Sequence, residues 1–398
     1  MISNIVHISL NARGGGERLA VATIKAISSM GIDVELSTVE KPDIPLIQDA
    51  FGTSLGGDIK KIRTLNILQK YSARNYSLTV NTHGDMLPFY HKDFSKKNAI
   101  TYCHYPIASY LIDCADPDYL AVLQNMCLVG MISATSNGYY DTVRGAYIKM
   151  MLNSTVLTNS EFSRKAIFKT FGVDSTIIPP PVDVDIFRDR CLASKVRDDS
   201  ILIISRIHPS KKIENAIHLA KLLRQNNIGT CMNIVGNMPP DGTGYFNYLK
   251  DLVRNYGIED FVRFEINVTF DRLLDLLCRS KVYVHPLPGE PFGISTVEAM
   301  SAGIIPVVPD IGGHTEFVPA KYQFHTYREG VDAIAAALAA RSSERIKLSH
   351  STDKYSTTNY VKKFQQILVE VIDIGKKQQL ESKPIISLSK RQPEFMGT

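Results

Sequence analysis

The 398-residue sequence has no apolar run approaching the ~20 residues that a bilayer-spanning helix needs, which excludes a transmembrane helix within it. NIVHISL near the start is apolar but short, with no basic residue before it, so a signal peptide is not expected. There is no C-x-x-C. The six cysteines (103, 114, 127, 191, 231 and 278) are scattered, a pattern that fits a reducing compartment and offers no metal site. Charge of one sign is also missing. Lys+Arg number 45 against 40 Asp+Glu, and a net +5 is too mild for a dedicated nucleic-acid binder, although local basic patches are possible. What is present is ordinary globular composition, 44% hydrophobic and 21% charged, so the chain is neither disordered nor fibrous. At roughly 150 residues per domain the length suggests two or three domains. A cytoplasmic protein with two sizeable cores is expected.

Short β-branched runs alternate with amphipathic stretches. The predicted strands of the first half are Asn4–Ser9, Asp33–Val39, Leu78–Asn81, Ala99–Cys103, Thr155–Thr158 and Thr176–Ile178. Those of the second half are Ile201–Ser205, Cys231–Val235, Val262–Phe264, Val282–His285 and Ile305–Val308. In Lys211–Asn226, Ile213, Ala216, Ile217, Ala220 and Leu223 recur every three or four residues and share one helical face. Near-continuous apolar strands between helices indicate buried parallel sheets. The pattern restarts after PPPVDVDIFRDR, where three prolines can continue neither ladder nor helix. This gives an α/β fold of two doubly wound domains, 1–187 and 188–354, facing across a cleft. Ligands in such sheets lie beyond the carboxyl ends of the strands. From residue 376 to 398 the chain reads as a basic, mobile tail.

The first strand leads into NARGGGERLA. Gly14, Gly15 and Gly16 allow a tight turn, and free N–H groups at the following helix start would suit an anion. The run is neither G-x-G-x-x-G nor a Walker A sequence, so NAD and ATP lose their usual support. A ligand-free tight turn accounts for the spacing equally well. In ILIISRIHPSKKIENAI, Arg206 and Lys211 flank the entry to a helix, where positive charge opposes the helix dipole. A bound diphosphate would offset that, with Arg206 as a planar fork and Lys211 as a point charge; two solvated cations are the plainer reading. In HPLPGEPFGISTVEAMSAG, Glu290 precedes a helix starting near Gly293 and Glu298 lies within it. Carboxylates accept hydrogen bonds from polyol hydroxyls, and first-turn amides accept phosphate. A capping glutamate followed by an ordinary helix glutamate is the alternative.

Together these segments resemble the retaining glycosyltransferases of family 4, which have the GT-B fold of two Rossmann-like domains. The likeness runs from about residue 4 to about 372. Its most specific part is Glu290-x7-Glu298 in EPFGISTVEAMSAG; SRIHPSKKIENAI and LTNSEFSRKAIFKTFG followed by IIPPPVDVDIF add to it. GGGER, TYCHYP and TNSEFSR are similar to the asparagine-linked-glycosylation mannosyltransferases that extend lipid-linked oligosaccharides.

The resemblance implies that Arg206 and Lys211 bind the donor diphosphate, that Glu298 holds the ribose and that Glu290 contacts the transferred sugar. The amides of Phe292, Gly293, Ile294 and Ser295 would line sugar and phosphates, His104 in TYCHYP would stand near the sugar, and Gly14–Gly16 would close over them. By spacing alone His104 reads as a satisfied strand-end histidine. His83 is a candidate for the acceptor side, with weaker cases for His7, His208, His285 and His314. A final helix at 355–372 is expected to cross back onto the first domain. Arg206 and Lys211 would take the place of a metal, so no cofactor and no divalent ion is expected; Asp183 and Asp185 form an Asp-x-Asp in the junction segment that carries little weight as a metal site. The implied reaction moves a hexose, with mannose favoured, from GDP-mannose to a glycan or lipid-linked acceptor with retention. A front-face route is expected, in which the leaving phosphate takes the acceptor proton.

Residues 59–97 carry eight Lys/Arg (60, 61, 63, 70, 74, 92, 96, 97) against Asp85 and Asp93, a local +6 that would suit an anionic membrane surface. A solvated face of scattered lysines is the alternative; a membrane-binding patch would place the cytoplasmic chain peripherally on the cytoplasmic membrane face. Competing functions are a UDP-sugar-dependent transferase (glucose or N-acetylglucosamine), a UDP-N-acetylglucosamine 2-epimerase, and a non-catalytic sugar-nucleotide-binding protein. The Glu290–Glu298 spacing and the Arg206…Lys211 pair argue against the epimerase, and intact Glu290, Glu298, Arg206, Lys211 and His104 argue against a non-catalytic protein.

Overall fold

The computed structural model describes residues 1–12, 14–64, 76–84, 98–107, 145, 147–193, 197–239 and 242–381. Seven strands form the first sheet: β1 (Ile2–Val6), β2 (Asp33–Thr38), β3 (Ile59–Thr64), β4 (Leu78–Asn81), β5 (Ala99–Tyr102), β6 (Thr155–Thr158) and β7 (Thr176–Ile177). Six form the second: β8 (Asp198–Ile204), β9 (Cys231–Gly236), β10 (Val262–Ile266), β11 (Ser280–Val284), β12 (Ile305–Pro309) and β13 (Gln323–Phe324). The orders are β3-β2-β1-β4-β5-β6-β7 and β10-β9-β8-β11-β12-β13. Every pairing is parallel. Each sheet therefore reverses direction once, between β1 and β4 and between β8 and β11, and a crevice opens at each reversal beyond the strand ends.

The helices are α1 (Gly15–Ser28), α2 (Ile44–Phe51), α3 (Glu161–Phe171), α4 (Val184–Cys191), α5 (Ile213–Gln225), α6 (Thr243–Tyr256), α7 (Phe270–Arg279), α8 (Ile294–Ser301), α9 (Tyr327–Leu338), α10 (Ser342–His350) and α11 (Thr357–Glu381). On α5, Ile213, Ala216, Ile217, Ala220 and Leu223 are all buried. They pack under the second sheet with Ile201, Ile203, Ile234 and Val284. Helix α5 begins at Ile213 rather than Lys211, because Pro209–Lys211 forms a short 3-10 turn and Lys212 adopts a left-handed φ of 50°.

The last helix packs on the first lobe. Tyr360, Phe364, Leu368 and Val371 join a core that contains Ile5, Leu19, Ile24 and Val80. The Tyr360 hydroxyl lies 2.7 Å from Thr23 Oγ1 on α1. Burying such side chains stabilises by about 1.5–3 kcal/mol each, which is enough to hold a helix that begins in the other lobe. Helix α11 runs to Glu381 and takes in the first residues of the segment that reads as a tail; 382–398 lie outside the described residues.

Two features depart from the sequence expectations. Strand β3 has no apolar alternation, and its burial pattern is that of an edge, with Lys60 and Lys61 exposed. Charge on an edge strand blocks unwanted pairing. Arg63 meets Glu35 of β2 at 2.8 Å. The other basic residues of that patch, Lys70, Arg74, Lys92, Lys96 and Lys97, lie outside the described residues. The second departure concerns the cysteines: Cys191 at the end of α4 and Cys278 in α7 form a disulfide, 87 residues apart in sequence. Cys103 and Cys231 are buried thiols. Among the described residues no helix is long and apolar enough to cross a membrane.

Candidate active site between the two lobes

In the second lobe β8 runs into Ser205 and Arg206, and the 3-10 turn places Lys211 five residues further on. Lys211 Nζ lies 3.1 Å from Glu290 Oε2. The same carboxylate oxygen lies 3.4 Å from Nε2 of His285, the residue after β11. Burial opposes ionisation of Glu290, but His285 and Lys211 outweigh it and hold its pKa far below the usual carboxylate range. His285 is fixed from behind by the Tyr283 hydroxyl, 2.9 Å from Nδ1, and that hydroxyl also stands 2.8 Å from Ser295 Oγ. Arg206 is exposed and pairs with no carboxylate among the described residues.

Helix α8 starts abruptly because Gly293 holds φ 95°, a left-handed conformation that a side chain would resist. Its first turn therefore faces the lobe junction. Phe292 turns its ring away into the core, 5.3 Å from Phe317 and 5.4 Å from Tyr355, so only its backbone borders the cleft. Glu298 sits one to two turns along. Burial raises its pKa, Arg18 opposes the rise and Asp183 adds to it. The opposing cation comes from the other lobe: Arg18 Nη2 lies 3.7 Å from Glu298 Oε1.

The first lobe contributes the strand ends around β1 and β4. Helix α1 begins at the glycine run, where Glu17 folds back to accept the Gly14 N–H at 2.6 Å. A Cβ on Gly15 would stand 2.3 Å from Ile294 Cδ1, so the loop meets the first turn of α8 closely enough that a side chain there would push Ile294 aside. A Cβ on Gly16 would lie 3.8 Å from His104 Nε2. His104 follows β5, and its Nε2 stands 3.1 Å from the Thr82 carbonyl. Burial lowers its pKa to about 4 against the raising effect of that carbonyl, which leaves a neutral imidazole at physiological pH.

TNSEFSR has a structural explanation here. Ser160 caps α3 by accepting from Ser163 N–H, and its hydroxyl donates to Pro291 O across the cleft at 2.6 Å. Asn159 and Ser163 both donate to the His104 carbonyl. Glu316 of the second lobe accepts the N–H groups of Glu161 and Phe162, and so completes the cap from outside. Asp183, half of the Asp-x-Asp, spans the lobes: it accepts from Arg18 at 2.6 Å and from the Thr357 hydroxyl at 2.7 Å. Asp185 is exposed and pairs with Arg188 at 3.4 Å.

The structure thus gathers Gly14–Gly16, His104, Lys211, Glu290, the start of α8 and Glu298 along one junction. It adds Glu17, Arg18, His285 and Glu316, which the sequence did not single out or ranked low. For His7 and His285 a signal existed, since each directly follows a strand next to its sheet's reversal point. Arg18 and Glu316 act across 165 and 155 residues, and no local pattern reports that.

Two nucleotide-type lobes joined by a returning helix define the GT-B architecture. Solved structures agree over nearly the whole chain. Sucrose-phosphate synthase from Thermosynechococcus elongatus matches with a TM-score of 0.61 at 16% identity, covering 96% of this chain and 98% of that one. Anabaena HepE in complex with UDP-glucose matches at 0.63 and 15% identity, covering 94% and 100%. Within this fold, residues 189–358 match the family described as Glycosyl transferases group 1. Curated relatives include the GDP-Man:Man(3)GlcNAc(2)-PP-Dol alpha-1,2-mannosyltransferases of Dictyostelium discoideum and Homo sapiens. The first is 29% identical over 58% of this chain and 48% of its own length, the second 28% over 54% and 46%. The chain spans about half the length of these relatives.

Proposed function

We propose that the chain transfers a mannosyl group, with retention, from GDP-mannose to a lipid-linked oligosaccharide. The observation that carries this reading is the Lys211–Glu290 pair set beside the first turn of α8 and roofed by the glycine loop of the other lobe. The activity named for the relatives supplies the donor and acceptor classes. In this scheme Arg206 and Lys211 neutralise the departing diphosphate with the α8 amides, and a divalent ion is not needed. Fixed donors aimed at developing charge cost no reorganisation when the bond breaks. Glu298 accepts from the ribose hydroxyls and Glu290 from the sugar, through Oε1, which has no partner among the described residues, while Oε2 faces Lys211 and His285. His104, neutral and buried, lends a hydrogen bond near the sugar without adding charge. The acceptor hydroxyl attacks from the face the diphosphate leaves, and its proton goes to a phosphate oxygen. The PP-Dol-linked acceptor named for the relatives supports work at a membrane surface.

The test is release of nucleoside diphosphate from a panel of nucleotide sugars, with and without Man(3)GlcNAc(2)-PP-lipid. GDP released from GDP-mannose only when acceptor is present is the expected result. Turnover of UDP-glucose or UDP-N-acetylglucosamine in preference would reassign the donor. Mass spectrometry that finds a sugar covalently bound to Glu290 would replace the front-face route.

A further inference from the structure

Beneath the glycine loop, three imidazoles and one carboxylate share the reversal point of the first sheet. His7 follows β1, Thr82 and His83 follow β4, and His104 follows β5. His7 is 1% exposed, yet no apolar role explains an imidazole there. Its Nδ1 stands 2.9 Å from Thr82 Oγ1, and its Nε2 stands 3.5 Å from Glu17 Oε1. Nε2 has no shorter polar partner among the described residues. The other oxygen of the same carboxylate, Oε2, takes the Gly14 N–H at 2.6 Å. A continuous line therefore runs from the end of β4 through His7 and Glu17 to the loop that touches Ile294.

The usual capping glutamate lies at a helix surface, where water fixes its second oxygen. Here Glu17 is 14% exposed, so its second oxygen needs a protein partner. His83 is a poor one. It stands edge-on to His7 with ring centroids 4.8 Å apart, and burial, then the charges of His7 and His104, depress its pKa to about 3. His104 is committed to the Thr82 carbonyl. That leaves His7 as the imidazole facing the carboxylate. In keeping with this, Glu17 stays ionised against the cost of burial, with His7 and the amides of Glu17 and Gly14 holding its pKa at about 2.

We propose that His7 is a positioning residue for the glycine loop: by bridging Thr82 to Glu17 it fixes the carboxylate that caps Gly14, and so sets where Gly14–Gly16 stand over the transfer site. His7 touches no reacting group; it acts through Glu17. The kinetic side of this inference rests on the transferase function proposed above, whereas the loop-ordering side does not.

Two substitutions separate the ends of the bridge. In His7→Asn the amide can reach Thr82 but not Glu17. In His7→Gln it can reach Glu17. Amide hydrogen exchange read by mass spectrometry over residues 14–17, the thermal midpoint and steady-state kinetics are measured for the full chain. His7→Asn is expected to speed exchange at 14–17 at least tenfold with little change elsewhere in the lobe. It should lower kcat by about 10- to 100-fold, the scale of an ångström-sized misplacement, with donor KM within threefold. His7→Gln should recover most of both, and His7→Asn added to Glu17→Gln should do no further harm, since the two act in one line. Unchanged exchange at 14–17, equal damage from Asn and Gln, multiplying effects of His7→Asn and Glu17→Gln, or exchange raised evenly over the whole lobe would each overturn the proposal. If the wild type turns over no nucleotide sugar, the transferase function fails, and the exchange data still decide the role of His7.

Discussion

At the reversal point of the second sheet fixed charges dominate: Arg206 and Lys211 against Glu290, which His285 also faces, with Glu298 beyond. At the same point of the first sheet they are three imidazoles, a hydroxyl and one carboxylate, packed against one another. The six strands of the second sheet repeat the order of the first six of the other, which adds only β7 at one edge, so the difference does not come from strand order. It lies in what each loop must meet. Fixed cations suit a leaving diphosphate, whereas neutral donors and acceptors suit hydroxyls and a loop that must be held in place. Substitutions in the second lobe should therefore change donor binding and bond breaking together. Substitutions in the first lobe should change turnover with donor affinity nearly intact.

The strongest way to break that division is Lys211→Ala. It removes a cation proposed to face the diphosphate and leaves Glu290 with His285 alone. A loss of 10²–10³ in kcat/KM is expected, about 2.7–4 kcal/mol, together with weaker binding of GDP by calorimetry. Unaltered GDP affinity would show that charge in the second lobe serves the fold and not the donor.

Acid should distinguish the lobes next. His83 and His104 in the first lobe have pKa values held near 3 and 4 by burial, and His314 in the second is held near 4 by burial with His285 adding to it. Below about pH 6.5 the unfolded chain binds protons that the folded chain refuses. Stability therefore falls as the pH drops from 7 towards 4, by on the order of 2 kcal/mol per histidine at pH 5. Glu17 works in a lower window: its contribution is complete above the ordinary carboxylate range and is lost as the pH approaches 2. Denaturant titrations at pH 7 and pH 5 should show the drop. His104→Gln should reduce it, and an unchanged slope in that variant would contradict a buried neutral imidazole.

The sheets were legible because parallel strands buried on both faces leave near-continuous apolar runs, and α5 because five residues on one face repeat every three or four. Strand β3 was not, since an edge strand with Lys60 and Lys61 facing out has no such pattern. The Cys191–Cys278 pair was hidden by a separation of 87 residues, for only the packing of α4 beside α7 brings the sulfurs together. The candidate site divides in the same way. Glu290 and Glu298 belong to one short segment and stand out by spacing. The partners that fix them, Arg18, His285 and Lys211, come from three other elements. The glycine run reads as a turn in sequence; that it must also fit against Ile294 is information only the second lobe holds.

That fit gives a smaller effect. Gly15→Ala places a methyl against Ile294 Cδ1, which can turn aside at modest cost. About a tenfold fall in kcat is expected, on the scale of a displacement well under an ångström. Gly15→Ala with Ile294→Val removes the colliding carbon and should restore most of the rate. Failure of the second change to help would mean that the loop and α8 are not in contact during turnover.

The weakest link tested is the tether between the lobes. Asp183 receives Arg18 and the Thr357 hydroxyl, and its side chain is 30% exposed. Asp183→Asn keeps an oxygen for Thr357 but gives up the charge that holds Arg18. A partly exposed pair of this kind contributes about 1 kcal/mol at most, less in salt. Arg18 would then be left with Glu298, 3.7 Å away, as its carboxylate partner. A freed Arg18 that moves towards Glu298 should compete with the hydroxyls proposed to bind there. The expected outcome is a rise of a few-fold in donor KM, largest at low ionic strength, with kcat unchanged. A variant that lowers kcat and leaves KM alone would show that the tether governs lobe closure instead, and the division between a donor-binding second lobe and a positioning first lobe would have to be redrawn at Arg18.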